Sequence, residues 1–584
     1  MKTTLRIALA QIHLRVGVDT KTLNYNISQM RNAYERACDE SCDVVVFPEL
    51  ALTGYSPEDL LLRFDVQQAF SQAGDQFRDE ILNRESGPVI IFGAPRMVNP
   101  DDDGNFPQEL ESRSTLDISG PALANAAIVV DPVNSTSREI YKSHLPNWGV
   151  FDEARWFASA RCLADPIEIS GVVSGVAICR DIWKESTVAG LVKAGARVIY
   201  VPNASPYANS RISERIRSLR FNAQKYGVPI VYVNMIEGCD EAVFDGGSFI
   251  VNANGDLVAQ TMRFEEDFIA IDLEISEEKP MKNIDNSLVE GLIDLSASLG
   301  HDIFDPHETY RAIVLGTREF INSISPDVKV VIGLSGGIDS ALVATVAVDA
   351  LGASRVHGVL LPSKYTSDRS NADAELLAKS LGIGCETISI EKMHEVASIE
   401  FSLDSLPSIV SENIQSRLRG LSLMKLSNSQ GYLVLATSNK SESAVGYCTL
   451  YGDTVGAYSP IKDVYKTQVY ELCSWRNMTE LFEVHAPIPD SIIDREPTAE
   501  LRENQTDESS LYPYEVLDGI LERFIDHDLS IEAIVADGFD QEIVEHVVSL
   551  VKASEFKRKQ TPIGPRLTRK NFGKGRRVPI SAHW

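Results

Sequence analysis

The sequence is poor in cysteine, in long hydrophobic runs and in positive charge. Only 8 of 584 residues are cysteine, and they lack the repeated spacing of a disulfide framework, which favours a reducing, cytoplasmic location. No run approaches the ~18 apolar residues of a membrane-spanning helix, and the short N-terminal apolar stretch is interrupted at Gln11 and His13, unlike a signal peptide. Lys and Arg total 55 against 83 Asp and Glu, a net charge of −28. We therefore expect no membrane and no nucleic-acid partner.

Strand-length apolar runs alternate with helical patterns in the first half of the chain. The predicted strands are 5–12, 43–47, 88–93, 175–179, 197–201 and 229–234, and the clearest predicted helices are 20–37 and 209–226. Buried strands that alternate with amphipathic helices indicate an α/β domain, which we place at 1–275. Residues 99–115 are polar and read as a surface excursion.

The pattern loses its period and turns acidic at 276–305, which predicts a linker. A second α/β domain is predicted over 306–584. It begins with a strand at 328–334, a glycine turn, a helix that stops at Gly352, and a strand at 357–362. A helix at 370–381 then stops at Gly382, a typical left-handed cap. This order predicts parallel crossovers and a Rossmann-like doubly wound sheet.

Polar residues follow three of the predicted N-terminal strands. Glu49, Cys179 and Ser205 each lie just beyond an apolar run, and the carboxyl ends of strands in α/β sheets form ligand crevices. A nucleophilic cysteine needs a base and a group that stabilises the oxyanion; Glu49 and Lys142 have the required chemistry. The alternatives are a buried structural thiol with unrelated charges, or a Cys–His pair with His144.

The segments FPEL, TGYSPEDLL, YKSHLPNWGVFDE and CRDIW, in this order, resemble the carbon–nitrogen hydrolase (nitrilase) superfamily over about residues 4–275. The resemblance implies an α-β-β-α sandwich with Glu49 as general base, Lys142 as transition-state stabiliser and Cys179 as nucleophile. It implies Glu153 as a supporting carboxylate. The backbone N–H of the residue after the nucleophile would complete the oxyanion site.

The segment NASPYANSR resembles the substrate-amide segment of members that hydrolyse L-glutamine. This resemblance implies that Ser205 and Arg211 bind the α-amino-acid group and that Trp148 stacks over the substrate. The chain carries Arg180 where these members usually have Glu. We expect that side chain to lie outside the chemistry.

A glycine turn, Ser335–Ser340 (SGGIDS), follows an apolar run and opens a helix. Glycines let the backbone approach an anion, and a helix N-terminus offers free N–H groups, so a phosphate ligand is predicted. The loop lacks the GK[ST] ending of a Walker A motif. Asp339 is placed to hold Mg²⁺ against phosphates. Ordinary strand–helix punctuation is the alternative.

GLSGGIDSA resembles the PP-loop of the ATP pyrophosphatase family, whose members adenylylate a carboxylate or carbonyl. Together with ENIQSRLRG, ATSNKSE, YGDTVGAYSPIKDVYKTQV, REPTAELRENQTDE and SEFKRKQ, it resembles the glutamine-dependent NAD synthetases over nearly the whole chain. This implies a ligase that hydrolyses L-glutamine and uses the ammonia to amidate deamido-NAD through an adenylate. A shielded ammonia passage and a homo-oligomer, at least a dimer, are also expected.

The resemblance assigns a role to each of the following residues. The residues implied to bind ATP are Gly333, Leu334, Ser335, Gly336, Gly337, Ile338, Asp339, Ser340, Thr437, Lys466 and Thr498. The residues implied to bind deamido-NAD are Asn413, Arg417, Glu442 and Lys557. Asp339 and Glu442 are implied to hold Mg²⁺.

Other functions remain open at this point. The same halves would suit an amidotransferase with another carboxylate acceptor, such as an asparagine-synthetase-like enzyme. A non-catalytic nucleotide sensor and a nitrilase joined to a tRNA-modifying domain are further alternatives. The segment 556–577, with nine Lys or Arg and no acid, is either a solvated tail or part of a nucleotide site.

Overall fold

The computed structural model describes residues 2–98, 122–276, 304–498, 500–502 and 511–582. The chain divides into two units, one of residues 1–237 with 244–300 and one of residues 238–243 with 301–584. The predicted excursion at 99–115 and almost all of the predicted linker at 276–305 lie outside the described residues. Within the described ranges, no helix has the length and apolar character needed to cross a membrane.

The first unit contains four α-helices and most of the strands in the described part of the chain. Its helices are α1 (Thr20–Asp39), α2 (Phe64–Leu82), α3 (Glu185–Lys193) and α4 (Arg211–Tyr226). In chain order the strands up to residue 276 are β1 (Lys2–Gln11), β2 (Val44–Val46), β3 (Val89–Val98), β4 (Ala122–Asp131), β5 (Thr136–Tyr141), β6 (Ile167–Ile169), β7 (Val172–Val176), β8 (Val198–Asn203), β9 (Ile230–Asn234), β10 (Ile236–Cys239), β11 (Ala242–Asp245), β12 (Phe249–Val251), β13 (Leu257–Gln260) and β14 (Asp267–Ser276). Parts of β10 and β11 fall within residues 238–243, which belong to the second unit.

Two six-stranded sheets form the centre of this unit, in the orders β14-β1-β2-β3-β4-β5 and β13-β12-β9-β8-β7-β6. Strands β1 to β3 pair in parallel in the first sheet, and β7 to β9 do so in the second. Side chains of both sheets, such as Leu9, Val46, Val176 and Val231, share one buried cluster. Helices α1 and α2 contact the first sheet and α4 the second. This α-β-β-α sandwich confirms the predicted fold.

Local sequence explains where the helices begin. The side chain of Asp19 accepts hydrogen bonds from the N–H groups of Lys21 and Thr22, so it caps α1, as Asp commonly does. Helix α4 begins at Arg211 rather than at the predicted residue 209, because Ser210 has φ +62° and lies outside the helical region.

The second unit has a parallel sheet surrounded by helices. Its helices are α5 (Pro306–Ile324), α6 (Ile338–Leu351), α7 (Asp368–Leu381), α8 (Glu391–Glu400), α9 (Ser408–Gln430), α10 (Lys440–Val445), α11 (Lys466–Met478), α12 (Asp490–Ile493), α13 (Tyr514–Leu521), α14 (Ile531–Ala536), α15 (Gln541–Ala553) and α16 (Glu555–Arg558). Its strands are β15 (Val330–Leu334), β16 (Val356–Leu360), β17 (Gly384–Thr387) and β18 (Leu433–Val434).

The strand order of this sheet is β17-β16-β15-β18, and every pairing is parallel. Val331 of β15 packs with Leu423 and Leu426 of α9, while α6 contacts β15 and β16. Strand β17 consists of Gly384–Thr387, and these four residues pair with His357–Leu360 of β16. The doubly wound α/β architecture is confirmed, and the glycine turn lies between the central strand β15 and α6.

Candidate active sites

Three residues of the first predicted constellation lie beyond the carboxyl ends of strands. Glu49 follows β2, Lys142 directly follows β5, and Cys179 follows β7. The first two strands belong to one sheet and β7 to the other, so the site is built at the end of two stacked sheets. Gly93 in β3 permits a close approach of the Glu49 segment, because a Cβ there would lie 2.6 Å from the Glu49 carbonyl carbon.

Glu49, Lys142 and Glu153 form a buried charge cluster, with side-chain exposures of 0 to 1%. The Lys142 Nζ donates to Glu49 Oε1 at 2.6 Å and to Glu153 Oε1 at 2.8 Å. The Ala204 N–H donates to the other Glu49 oxygen at 3.0 Å and lies near enough to the Cys179 thiol to lower its pKa slightly. These bonds hold the lysine between both carboxylates and place Glu49 and Cys179 around one backbone N–H.

The buried cluster shifts the pKa values of its members. Burial alone would lower the pKa of Lys142, but the carboxylates of Glu153 and Glu49 outweigh it and raise that pKa. Burial raises the pKa of Cys179, and the charge of Glu49 adds to this effect. Lys142 is therefore a cation and Cys179 a neutral thiol at neutral pH, so the thiol must lose its proton to a base as it attacks.

Glu153 makes the stability of this unit depend on pH. Burial raises its pKa from the ordinary 4.5 to about 7, and although Lys142 opposes the shift, Glu49 adds to it. The folded state therefore holds this proton more tightly, and the stabilisation is present below pH 4.5 and lost as the pH rises to about 7. We expect the free energy of unfolding of Glu153→Gln, relative to that of wild type, to increase by up to about 3 kcal/mol from about pH 5 to about pH 7.5, and its thermal midpoint to rise in parallel.

The matched control for this prediction is Glu168→Gln, because Glu168 is an exposed carboxylate of the same unit. Thermal denaturation of wild type and both variants across this pH range gives the comparison. A difference between Glu153→Gln and wild type that stays constant with pH would contradict the prediction.

The nucleophile segment has a constrained backbone. Cys179 has φ +46°, a left-handed conformation that costs about 1–3 kcal/mol in a residue other than Gly and is common at functional sites. The Asp181 carboxylate accepts the N–H groups of Ser143 (3.2 Å), His144 (2.7 Å) and Ile178 (3.4 Å). Asp181 therefore ties the segment after Lys142 to the turn that carries Cys179. Its contact with the His144 ring, 3.0 Å to Nδ1, places that histidine on Asp181.

The residues predicted to bind glutamine lie in the same unit. Ser205 is buried, and its N–H donates to Asn234 Oδ1 at 2.8 Å. Trp148 is exposed, its ring 4.5 Å from the Arg180 guanidinium carbon. Arg211 is the first residue of α4 and pairs with Glu214 at 2.8 Å. Ser205 is thus held rigidly, whereas Trp148 and Arg211 are more accessible.

The second constellation lines a cavity of about 450 Å³ in the second unit. Gly336 of the glycine turn has φ +76°, and a Cβ there would lie 2.3 Å from the Ser370 carbonyl oxygen, so the position requires glycine. The Ser340 hydroxyl donates to the Gly337 carbonyl at 2.9 Å and accepts the Ser335 N–H at 3.3 Å. These contacts shape the loop, while its other residues face the cavity.

Most of the predicted nucleotide-binding residues line this cavity. Those present are Gly333, Leu334, Ser335, Gly337, Ile338, Asp339, Asn413, Thr437, Glu442, Lys466, Thr498 and Lys557. Of the described residues that were predicted to bind nucleotide, Gly336, Ser340 and Arg417 do not line the cavity. Arg417 is exposed, and its Nε donates to the Leu450 carbonyl at 3.3 Å. Arg419, two residues further along α9, lines the cavity.

Asp339 and Glu442 converge on one lysine. Lys466 Nζ lies 2.5 Å from Asp339 Oδ2 and 3.5 Å from Glu442 Oε1, and Asn439 donates to Asp339 Oδ1 at 2.9 Å. Two carboxylates that share one cation at a cavity wall supply the hard oxygen ligands that Mg²⁺ prefers. The donor set therefore fits Mg²⁺.

Comparison with known proteins follows this division into two sites. The carbon-nitrogen hydrolase family model matches residues 6–283, and the NAD synthase model matches residues 309–561. The glutamine-dependent NAD(+) synthetase of Rhodobacter capsulatus is 40% identical over 100% of this chain and 99% of its own length. The Thermotoga maritima protein of the same name is 38% identical over 99% and 98%. The chain belongs to the glutamine-dependent NAD(+) synthetase family.

A solved structure of this family, the Acinetobacter baumannii synthetase in complex with ADP, superposes with a TM-score of 0.71. It is 34% identical and covers 99% of this chain and 98% of its own. The two predicted halves, a carbon-nitrogen hydrolase followed by an NAD synthase, are therefore both present in this chain. As members of the family are ligases, the expected enzyme class is confirmed.

Sequence reasoning missed three polar residues that support the hydrolase site of this family member. Tyr55 donates to Glu153 Oε1 at 2.6 Å, and Asn125 donates to Glu49 Oε1 at 2.7 Å. Arg215, fully buried, donates to Ser205 Oγ at 3.2 Å and to the Ser205 carbonyl at 2.7 Å. A polar residue inside the apolar strand ALANAAIVVD was the available signal for Asn125.

The basic segment 556–577 is packed against the second unit. Lys557 lines the cavity and donates to the carbonyls of Gly446 (2.7 Å) and Cys448 (2.9 Å). Arg558 and Arg576 both pair with Glu555. The segment is therefore neither a solvated tail nor wholly a ligand surface, because only part of its charge faces the cavity.

Proposed function

We propose that this chain forms NAD from deamido-NAD and ATP with the amide nitrogen of L-glutamine, and that its two sites divide the reaction. The observation that carries the proposal is the presence of two separate sites, each suited to one half-reaction. One holds a buried base, an ammonium and a thiol; the other is a cavity that a glycine turn and cationic side chains line. The family relationship supports the same division.

In the first site Cys179 attacks the side-chain amide carbon of glutamine. Because its thiol is neutral, Glu49 takes the proton as the bond forms. The Lys142 ammonium, 2.6 Å from Glu49 Oε1, stabilises the negative oxygen of the tetrahedral intermediate, with the backbone N–H of Arg180 as a second donor. Glu49 returns the proton to the leaving ammonia, and then activates water that hydrolyses the thioester to glutamate and restores the thiol.

We propose that Ser205 and Arg211 bind the α-amino-acid part of glutamine. The fixed backbone of Ser205 supports its assignment: its N–H donates to Asn234, and its carbonyl accepts a hydrogen bond from Arg215. Glu153 keeps Lys142 in place rather than reacting itself, since it accepts hydrogen bonds from both Lys142 and Tyr55.

In the second site the carboxylate of deamido-NAD attacks the α-phosphorus of ATP, and pyrophosphate leaves. Ammonia then attacks the carbonyl carbon of the adenylate, and AMP leaves as NAD forms. The glycine turn and the N-terminus of α6 would bind phosphate, with Thr437, Lys466 and Thr498 beside it. Asp339 and Glu442 would hold Mg²⁺, whose charge would offset that of the departing pyrophosphate.

We propose that Asn413, Glu442 and Lys557 contact deamido-NAD. All three line the cavity, and Asn413 is held by the Thr449 hydroxyl at 2.7 Å. Arg419 is a further cation on this wall, and burial lowers its pKa to about 10. The assignment of Arg417 to the same substrate stays a prediction, which its exposed position does not support.

The decisive experiment is an assay of the purified full chain with ATP, Mg²⁺, deamido-NAD and either glutamine or ammonium chloride. NAD is read by enzymatic cycling, and AMP formation is measured in parallel. We expect NAD from both nitrogen sources and none when deamido-NAD is replaced by aspartate. If NAD forms from neither source, the proposed function is wrong; AMP release with aspartate would favour another acceptor.

Self-association also stays a proposal, and exposed apolar side chains support it. Val396, Ile399, Phe401 and Ile409, on and around α8 and the start of α9, are 55 to 77% exposed, and clusters of this kind commonly mark interfaces. We expect light scattering to give at least a dimer, and Phe401→Asp to lower the association. A monomeric wild type at micromolar concentration would refute the proposal.

We also propose a cytoplasmic location, which the free state of all eight cysteines supports.

A further inference from the structure

The Arg180 side chain lies between two indole rings of the hydrolase unit. Its guanidinium carbon is 4.5 Å from the ring centroid of Trp148 and 5.7 Å from that of Trp183. Its Nε is buried without a hydrogen-bond partner. Among the described residues, the Arg180 side chain makes no hydrogen bond or ion pair; besides the ring contacts, it interacts electrostatically with Arg211 and Cys179. A half-buried cation without a counter-ion is energetically costly, and cation–π contact returns only part of that cost.

A second guanidinium adds to the positive charge. The Arg211 guanidinium carbon is 4.9 Å from the same Trp183 ring. Burial and the charge of Arg211 lower the pKa of Arg180. The nearby carboxylate of Glu214 is already paired with Arg211 at 2.8 Å. The two arginines and two indoles therefore form a cationic surface that would attract an anion and repel an ammonium group.

This surface adjoins the nucleophile. Arg180 directly follows Cys179, and Arg211 lies on α4, one turn before the Arg215 that holds Ser205. Arg180 is close enough to Cys179 for the two groups to interact electrostatically, so the cationic surface lies near the sulfur that a γ-amide substrate must approach. In glutamine that end carries a carboxylate and an ammonium group, and only the carboxylate suits a guanidinium, which can bind it through two parallel hydrogen bonds.

We propose that Arg180 is a specificity-determining residue that binds the α-carboxylate of the amide substrate, with Trp148 and Trp183 fixing its plane and Arg211 as the second cation. The hydrolase site then selects γ-amides that carry a carboxylate and gains little from the α-ammonium group. The proposal rests on the glutaminase half of the proposed function. It departs from the sequence-based expectation that the side chain at 180 lies outside the chemistry.

Two glutamine analogues separate the two charged groups. 4-Carbamoylbutanoate keeps the carboxylate and lacks the amino group, whereas 4-aminobutanamide keeps the amino group and lacks the carboxylate. For the wild-type full chain, we expect kcat/KM for ammonia release from 4-carbamoylbutanoate to stay within about tenfold of glutamine. We expect 4-aminobutanamide to be about 100-fold poorer than glutamine, the loss typical of one charged hydrogen-bonded contact.

Arg180→Gln tests which residue makes the distinction. We expect it to lower kcat/KM about 30- to 100-fold for glutamine and 4-carbamoylbutanoate, mainly through KM, and less than about threefold for 4-aminobutanamide. Arg180→Lys should recover part of the loss. Arg161→Gln, at an exposed arginine of the same unit, is the matched control and should change none of these values. NAD formation from ammonia should be unchanged in all three variants.

An equal loss of activity for all three amides would show that Arg180 only supports the fold of the site and would overturn the proposal. No loss with glutamine would also overturn it. A wild-type chain that hydrolyses none of the amides, yet forms NAD from ammonia, would instead refute the glutaminase itself.

Discussion

Cys179→Ala is expected to lower glutamine-driven NAD formation by about 10³-fold or more while ammonia-driven formation stays within about twofold of wild type. Without the sulfur there is no atom to form the thioester, and the charges of Glu49 and Lys142 alone give little rate. The second unit contains the whole cavity that the glycine turn lines, so added ammonia should still reach a complete synthetase site. NAD formation at saturating glutamine and at saturating ammonium chloride measures both effects.

Cys162→Ala is the matched control, because Cys162 is an exposed free cysteine of the same unit. It should leave both activities unchanged. If Cys179→Ala abolishes ammonia-driven activity as well, while its thermal midpoint stays that of wild type, the residue would act on the synthetase site too. Glutamine-driven activity that persists in Cys179→Ala would contradict the assignment of the nucleophile.

The predicted positions of Glu49, Cys179 and Ser205 followed from one physical rule, that strands end at a common edge of a sheet. The structure keeps the rule but distributes the residues over two sheets, since Glu49 follows β2 of one and Cys179 follows β7 of the other. Sequence periodicity shows which face of each strand is buried, but it does not show which sheet the strand joins. The resemblance, and not the spacing, connected Lys142 with them.

The supporting residues were beyond sequence reasoning because their contacts depend on packing between distant segments. Tyr55 reaches Glu153 across 98 positions and Asn125 reaches Glu49 across 76. Arg180 illustrates the same limit, since its significance comes from two indoles and a second arginine that meet only in the fold. Local pattern can mark a residue as polar in an apolar run, but it cannot supply the partner.

The residues of the glycine turn make different contacts within the fold. That every residue from 333 to 340 binds ATP stays a prediction; in the fold, a Cβ at Gly336 would meet the Ser370 carbonyl, and the hydroxyl of Ser340 donates to the Gly337 carbonyl. A motif records residues that a loop needs for its shape together with residues that touch a ligand. The fold identifies Gly336 and Ser340 as residues that shape the loop, and which residues also touch ATP stays a prediction.

Because its net charge is −28, the protein as a whole repels the anionic nucleotides that the second cavity is proposed to bind. Lys466, Lys557, Arg419 and Arg495 line its wall, and buried cations act over short distances where salt screens them little. Lys466 is at present shared between Asp339 and Glu442. We propose that binding of nucleotide and Mg²⁺ would free Lys466 to contact phosphate, while Asp339 and Glu442 would hold the metal.

Asp339→Asn should therefore reverse the pattern of the cysteine variant. Loss of the Asp339 charge removes one of two carboxylates that would hold Mg²⁺ and one partner of Lys466, while the shape of the side chain is kept. We expect NAD formation to fall by about 10²- to 10³-fold with either nitrogen source. Glutamine hydrolysis should stay within about threefold, because Glu49, Lys142 and Cys179 belong to the other unit. Separate assays of glutamate and NAD give both rates.

Asp368→Asn, at an exposed carboxylate on α7 of the same unit, controls for the loss of one charge and should form NAD at the wild-type rate. A higher Mg²⁺ requirement in Asp339→Asn, seen as a shifted Mg²⁺ titration, would place the defect at the metal rather than at the fold. Unchanged NAD formation would show that Glu442 alone suffices. If glutamine hydrolysis fell in parallel with NAD formation, the two sites would be coupled through Asp339, and the division of the reaction between independent units would be wrong.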